Sequence, residues 1–253
     1  MSEILFERAD GIATITINRP RARNSVNQKV AEGMAEALAE IDRDEGIRVG
    51  IITGAGGYFC AGMDLKAFLK DEKVKVEGGG FAGITEARTA KPVIAAVEGF
   101  ALAGGFEIAL ACDLIVASQE ARFGLPEVKR GLVANAGGLV RLPRQLPYRI
   151  ALQLVLTGDI VEAPVLARFG LINRLTAPGA ALQEAKRLAA EIAVNAPLAL
   201  AASKRVMQES QYWSSDDLFA RQNRITAPVI QSADAREGAV AFAEKRAPVW
   251  RNR

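Results

Sequence analysis

The stretch that most restricts this chain is Pro92–Asp113, PVIAAVEGFALAGGFEIALACD. It opens with five consecutive apolar residues, Val93 to Val97, enough for a buried strand and far short of a membrane span. The chain then turns through Gly99, Gly104 and Gly105 into an Ala/Leu/Ile helix with Glu107 in its first turn. A strand that enters a helix through a glycine-rich turn leaves backbone N–H groups unpaired, a site suited to an oxygen bearing negative charge. A carboxyl among apolar neighbours beside such a site costs stability unless it is paired or used.

The rest of the composition narrows the chemistry. The 253 residues contain no histidine, which removes Ser–His–Asp and Cys–His catalysis and histidine-ligated zinc. Acid–base work near neutral pH falls to carboxylates, Cys, Tyr or Lys. The two cysteines, Cys60 and Cys112, form no CxxC pair and have no basic flank, so they read as small buried apolar residues in a reducing compartment. A net charge of +3 with scattered Lys and Arg argues against nucleic-acid binding. No signal peptide or membrane-length apolar run occurs, and the expectation is a cytoplasmic protein with no membrane partner.

Short apolar strands alternating with turns and helices predict an α/β fold. Residues 4–17 read as a hairpin about Asp10-Gly11, 28–44 as an amphipathic helix, and 49–53 and 114–117 as buried strands. Ala67–Thr89, with six charged residues and then Gly78–Gly80, reads as a solvated, mobile connection, with a lid over a site as the alternative. Helices are expected at 139–145, 150–157, 165–169 and 181–195, with a strand at 171–175. From Pro197 onward the chain is helical. Ser214–Asp217 offers N-caps for one of these helices, and Asp234 with Glu237 for the last.

Glu107 and Glu127 are the acids of interest, each beside a glycine- or proline-shaped turn and an apolar strand; Glu98 ends a strand instead. Two carboxyls in unequal surroundings can divide the work of base and acid. A helix-capping glutamate and a surface acid are the alternative reading of the same pair. A second backbone donor site is plausible at Phe59-Cys60-Ala61-Gly62-Met63-Asp64. With N–H groups near Met63 and Gly104, the two segments would form an oxyanion hole; an ordinary strand-to-helix turn is the alternative. The glycines at 54–62 satisfy neither the dinucleotide fingerprint nor the phosphate loop.

Four stretches in order, IITGAGGYFCAGMDLK, KPVIAAVEGFALAGGFEIALACDLIVAS, ARFGLPEVKRGL and AFAEKRAPVW, resemble the enoyl-CoA hydratase/isomerase (crotonase) superfamily from about Leu5 to Arg251. The resemblance implies a ββα spiral core over residues 1–195 and a C-terminal helical oligomerisation region over 196–253. It also implies assembly as a homotrimer or dimer of trimers, and an acyl-CoA thioester substrate. Coenzyme A arrives with the substrate, and no further cofactor or metal is expected. By the same resemblance Met63 and Gly104 hold the thioester oxygen, and Glu107 and Glu127 are the catalytic pair. Arg23, Asn24, Ser25, Val26 and Ala61 lie against coenzyme A, and Phe242 and Lys245 reach a neighbour's coenzyme A.

Both glutamates together favour hydration of a trans-2-enoyl-CoA. The stretches GGGFAGITE and AFAEKRAPVW look most like the carnitinyl-CoA dehydratase branch. An isomerase and a non-catalytic acyl-CoA-binding protein are the other readings. Two departures stand out: Leu125 precedes Pro-Glu where a polar residue is common, and Ala134-Asn135 replace a usual proline and glycine. The first should dry the site and raise the carboxyl of Glu127; the second could loosen the adjoining loop.

Overall fold

In a computed structural model describing residues 2–253, the apolar runs pair into one six-stranded sheet. The strands and helices, in chain order, begin with β1 (Ile4–Ala9), β2 (Ile12–Ile17), α1 (Gln28–Arg43) and β3 (Val49–Gly54). There follow α2 (Leu65–Phe68), β4 (Lys75–Val76), β5 (Gly80–Phe81), β6 (Val93–Val97), β7 (Phe100–Leu102) and α3 (Gly104–Ala111). Next are β8 (Leu114–Ser118), β9 (Arg122–Gly124), α4 (Gly138–Gln145), α5 (Tyr148–Thr157), β10 (Ile160–Glu162) and α6 (Ala163–Ala167). The last are β11 (Arg174–Thr176), α7 (Ala181–Ala193), α8 (Pro197–Glu209), α9 (Leu218–Ile230) and α10 (Ala233–Glu244).

The large sheet runs β1-β2-β3-β6-β8-β11, parallel throughout except for the β1–β2 hairpin. A parallel strand is buried on both faces, which is why β6 reads as an uninterrupted apolar run. Its side chains alternate between two cores. Val93, Ala95 and Val97 join Val30, Met34 and Ile41 of α1 and Phe106 of α3; Ile94 and Ala96 join Ala185 and Ala189 of α7. The short strands β7, β9 and β10 form a second sheet, with β7 parallel to β9 and β9 antiparallel to β10. Thus β6, β7 and α3 succeed one another as a ββα unit, and the expected α/β architecture is present.

Several local expectations change. β7 and β10 are three residues each, too short for any alternation to show. Leu171 and Ile172 fill the core as loop residues, and the neighbouring strand is Arg174–Thr176. The segment 67–89 is not solvated throughout: Gly79–Thr85 is buried, and its strand β5 pairs with the more exposed β4 as a hairpin. Asp217 stands at the N-cap of α9 but makes no side-chain cap bond, pairing with Arg221 instead. Ser232, not Asp234 or Glu237, caps α10; Asp234 turns inward to take the N–H groups of Arg251 and Asn252, and Glu237 holds Arg246. Among the described residues, no helix is long and apolar enough to cross a membrane.

Candidate active site

Two chain segments meet where the sequence suggested backbone donors. Cys60 bridges Ala101 in parallel, and Leu102 donates its N–H to the carbonyl of Cys60 at 3.0 Å. The contact is too close for side chains. A Cβ on Gly62 would stand 3.0 Å from the nitrogen of Gly104, and one on Gly105 would collide with the carbonyl of Cys60. Gly62 also has φ +93°, a region that L side chains rarely enter. Ala103 is held at φ +50° to start α3 at Gly104.

The N–H of Met63 stays outside its bridge with Val26. The bonds of that bridge run from Val26 N to Gly62 O and from Asp64 N to Val26 O. Gly104, as the first residue of α3, likewise has no turn before it to accept its N–H. Because Gly62 lies against the nitrogen of Gly104, the N–H of the next residue, Met63, lies near that of Gly104 on a separate segment. Asp64 caps the short α2 behind Met63 and pairs with Arg19.

Glu107 is 3% exposed. Its Oε1 accepts the N–H groups of Ala136 and Gly138, both at 2.8 Å, so the glycine-rich loop entering α4 orients it. Burial raises its carboxyl above the ordinary range, while the Gly138 and Ala136 N–H groups, then Arg141 and Lys75, act to lower it. Glu127 lies in the 3-10 turn Pro126–Arg130, directly after the buried Leu125. Its carboxyl is pushed up to about 7, chiefly by burial and further by the charge of Glu107, with its own backbone N–H and Arg130 opposing. Oε2 of Glu127 is buried and meets no donor among the described residues. The charge of Glu107 acts on Glu127, so the two acids are neighbours in the fold.

Phe81 walls the Gly104 side of the site: a Cβ on Gly104 would stand 2.5 Å from its ring. Sequence reasoning could not place this residue, because its hairpin is only two residues per strand. The donors at 136 and 138 were also missed, although a glycine-rich loop opening a helix was their signal. Glu98, the third acid considered, accepts the N–H of Ala181 and so caps α7.

Ala61 donates its N–H to the carbonyl of Arg23 at 3.1 Å, so those two positions are adjacent at the edge of the site. Arg23 is exposed at φ +53°, and Ser25 and Val26 are buried beside it. The side chain of Asn24 is wholly engaged: its amide donates to the carbonyls of Ala55 and Tyr58, and its oxygen accepts the N–H of Arg19. Phe242, 88% exposed, and Lys245 sit at the end of α10, and the single chain does not bring them to the glutamates. Cys60 and Cys112 are buried.

Comparison with known proteins gives the chain its family. The family model for enoyl-CoA hydratase/isomerase matches residues 7–253. The chain is 42% identical to a carnitinyl-CoA dehydratase of Salmonella typhi, over all of both chains. It is also 42% identical to the enoyl-CoA hydratase EchA19 of Mycobacterium tuberculosis, over 99% of this chain and 97% of the relative. Among solved structures, an enoyl-CoA hydratase from Mycobacterium tuberculosis H37Rv superposes with a TM-score of 0.98 at 55% identity, covering both chains fully. A carnitinyl-CoA hydratase from Mycobacterium avium does so with a TM-score of 0.80 at 45% identity, again over both chains. The chain belongs to the enoyl-CoA hydratase/isomerase family.

Proposed function

We propose that this protein is a hydro-lyase that adds water reversibly, and syn, across the double bond of a trans-2-enoyl-CoA. The observation that carries this reading is the pairing of Glu107 and Glu127, two carboxyls raised by burial and close enough that the charge of Glu107 raises Glu127 further. They lie beside a pair of unengaged N–H groups, and a one-carboxylate isomerase has no need of the second acid.

In this mechanism the thioester oxygen is bound at the N–H groups of Met63 and Gly104, where negative charge develops as water attacks C3. Glu107, fixed by two backbone donors, orients the water and takes its proton. Glu127, raised to about 7 and so protonated in a substantial fraction near neutral pH, delivers a proton to C2. The two protons belong to a coupled pair, so the pH dependence of the reaction reports both groups together. Neither a metal nor a redox group takes part.

Arg23, Ser25, Val26 and Ala61 flank the coenzyme A, with Asn24 acting as the clamp that shapes their loop. Phe242 and Lys245 serve a neighbouring subunit's coenzyme A in a trimer or dimer of trimers. The helices from Pro197 onward form that interface, in a cytoplasmic enzyme.

Loss of the conjugated enoyl-thioester absorbance with crotonyl-CoA tests the reading. Glu107→Gln and Glu127→Gln should each lower kcat by a factor on the order of 10²–10⁴. Full activity in either variant overturns the two-carboxylate mechanism.

A second reading, hydration of crotonobetainyl-CoA, draws support from the aromatic ring of Phe81 beside Gly104, a residue type that attracts a quaternary ammonium. The charges of Lys75 and Arg141 near Glu107 oppose a cationic acyl chain. A higher kcat/KM for crotonobetainyl-CoA than for crotonyl-CoA would reverse the order of the two readings.

A further inference from the structure

Arg141 is half-buried on α4, one turn beyond Gly138, and neither the proposed chemistry nor the coenzyme A contacts employ it. Its guanidinium folds back over the start of its own helix. Nη1 packs so tightly on Gly137 that a Cβ there would collide with it, and Gly137 itself has φ +110°. Nη2 donates to the carbonyl of Thr85 at 2.5 Å. The next residue in the loop, Gly138, gives its N–H to Glu107, and a Cβ at that position would stand 3.1 Å from Glu107 Oε1.

A single side chain therefore spans two walls of the site. One wall is the loop that orients Glu107. The other is the buried segment Gly79–Thr85, whose Phe81 lies against Gly104. A partly buried guanidinium is costly unless its donors are engaged and an opposite charge is near. Thr85 supplies the acceptor and Glu107 the charge.

We propose that Arg141 is a positioning residue for this site, tying the Glu107-binding loop to the Phe81 wall and supplying the positive charge that faces the Glu107 carboxylate. The direction of its effect follows from the groups around it. Glu107 is faced by Arg141 from α4, Lys75 from β4 and Glu127 from the 3-10 turn. Arg141 in turn is faced by Tyr212, Glu107, Cys112 and Glu86. Burial raises the Glu107 carboxyl, and of the two cations that lower it Lys75 is exposed. Removing Arg141 takes away the better-shielded of the two cations, so Glu107 should hold its proton to higher pH.

The inference rests on the proposed hydratase reading for its catalytic meaning, but its test does not depend on turnover. The carboxyl carbons of glutamate would be labelled with ¹³C in the full-length protein, and the Glu107 signal identified by its loss in Glu107→Gln. Its titration midpoint would then be compared among the parent protein, Arg141→Gln, Arg141→Met and Arg141→Lys. Two charge-removing variants are used so that a folding failure in one leaves the other.

The expected result is a higher midpoint in Arg141→Gln and Arg141→Met, with Arg141→Lys much closer to the parent. If crotonyl-CoA is turned over, the acid limb of kcat should move to higher pH in the same two variants, with kcat falling more than KM changes. A Glu107 titration unchanged on loss of the charge, or displaced equally by lysine, overturns the proposal. An unaltered Glu107 midpoint in an active enzyme would sink this inference alone, whereas absence of hydration in the parent protein would sink only the hydratase reading.

Discussion

Gly62 and the backbone nitrogen of Gly104 lie so close that a single added carbon on the first would stand 3.0 Å from the second. The same carbon would be 3.0 Å from the Cβ of Ala103 and the carbonyl of Leu102. Two segments about forty residues apart in sequence are thus held together beside the N–H groups of Met63 and Gly104. Gly62→Ala should destabilise the fold by about 1–3 kcal/mol, through positive φ and crowding together. It should also reduce hydration more than that loss of stability explains, because Gly104 is displaced. Denaturant unfolding and steady-state kinetics on the same preparation check both parts.

Glu127 carries a pH signature in stability as well as in rate. Its folded-state carboxyl titrates at about 7, above the ordinary value of 4.5 for a free glutamate. The folded state therefore binds the proton more tightly, and this group's stabilising contribution is full below pH 4.5 and lost as pH rises through 7. Glu127→Gln removes that dependence. Relative to the parent protein, the variant should gain about 1–2 kcal/mol between pH 5 and pH 8, the figure being reduced for the partial exposure of the side chain. Urea unfolding at the two pH values measures it. An identical pH dependence in both proteins would contradict a raised Glu127.

Both thiols should be silent in the folded protein. Burial pushes Cys60 up to about 12 and raises Cys112 further, so neither has an accessible thiolate at pH 8. A thiol-specific disulfide reagent should titrate none in native buffer and two after denaturation, the full cysteine content of the chain. Rapid reaction of one thiol under native conditions would show that its surroundings open.

Asp234 ties down the end of the chain. The residue is 2% exposed and accepts the N–H groups of Arg251 at 2.7 Å and Asn252 at 2.9 Å, while its own N–H donates to the carbonyl of Arg253. Asp234→Ala leaves those donors unpaired and should cost about 1–3 kcal/mol. Hydrogen exchange should quicken selectively over residues 246–253. Unchanged protection there would show that other contacts hold the tail.

The regular elements were readable because their signals are local. The hairpin at 4–17, the amphipathic helix from Gln28, the strand Val93–Val97 and the helix from Pro197 each carry a period, a turn or a cap in consecutive residues. Three-residue strands carry no period, so β7 and β10 were invisible. The half-buried hairpin within 67–89 was hidden by the charges on its exposed side. Asp234 looked like a cap because its spacing to Glu237 fits one, yet a long-range bond to the chain end claimed it.

For the site, the sequence alone determined the actors: no histidine, two acids beside shaped turns, glycines opening helices, and motifs that mark a family. Only the tertiary structure decided their relations. It set Gly62 against Gly104, turned the loop at 136–138 onto Glu107, placed Phe81 on the wall and laid Arg141 across two of these pieces. The physical reason is that burial and the pairing of a charge depend on residues far apart in sequence. The stretch Pro92–Asp113 requires that its carboxyl be paired or used, but the groups that orient it come from chain that folds back some thirty residues later.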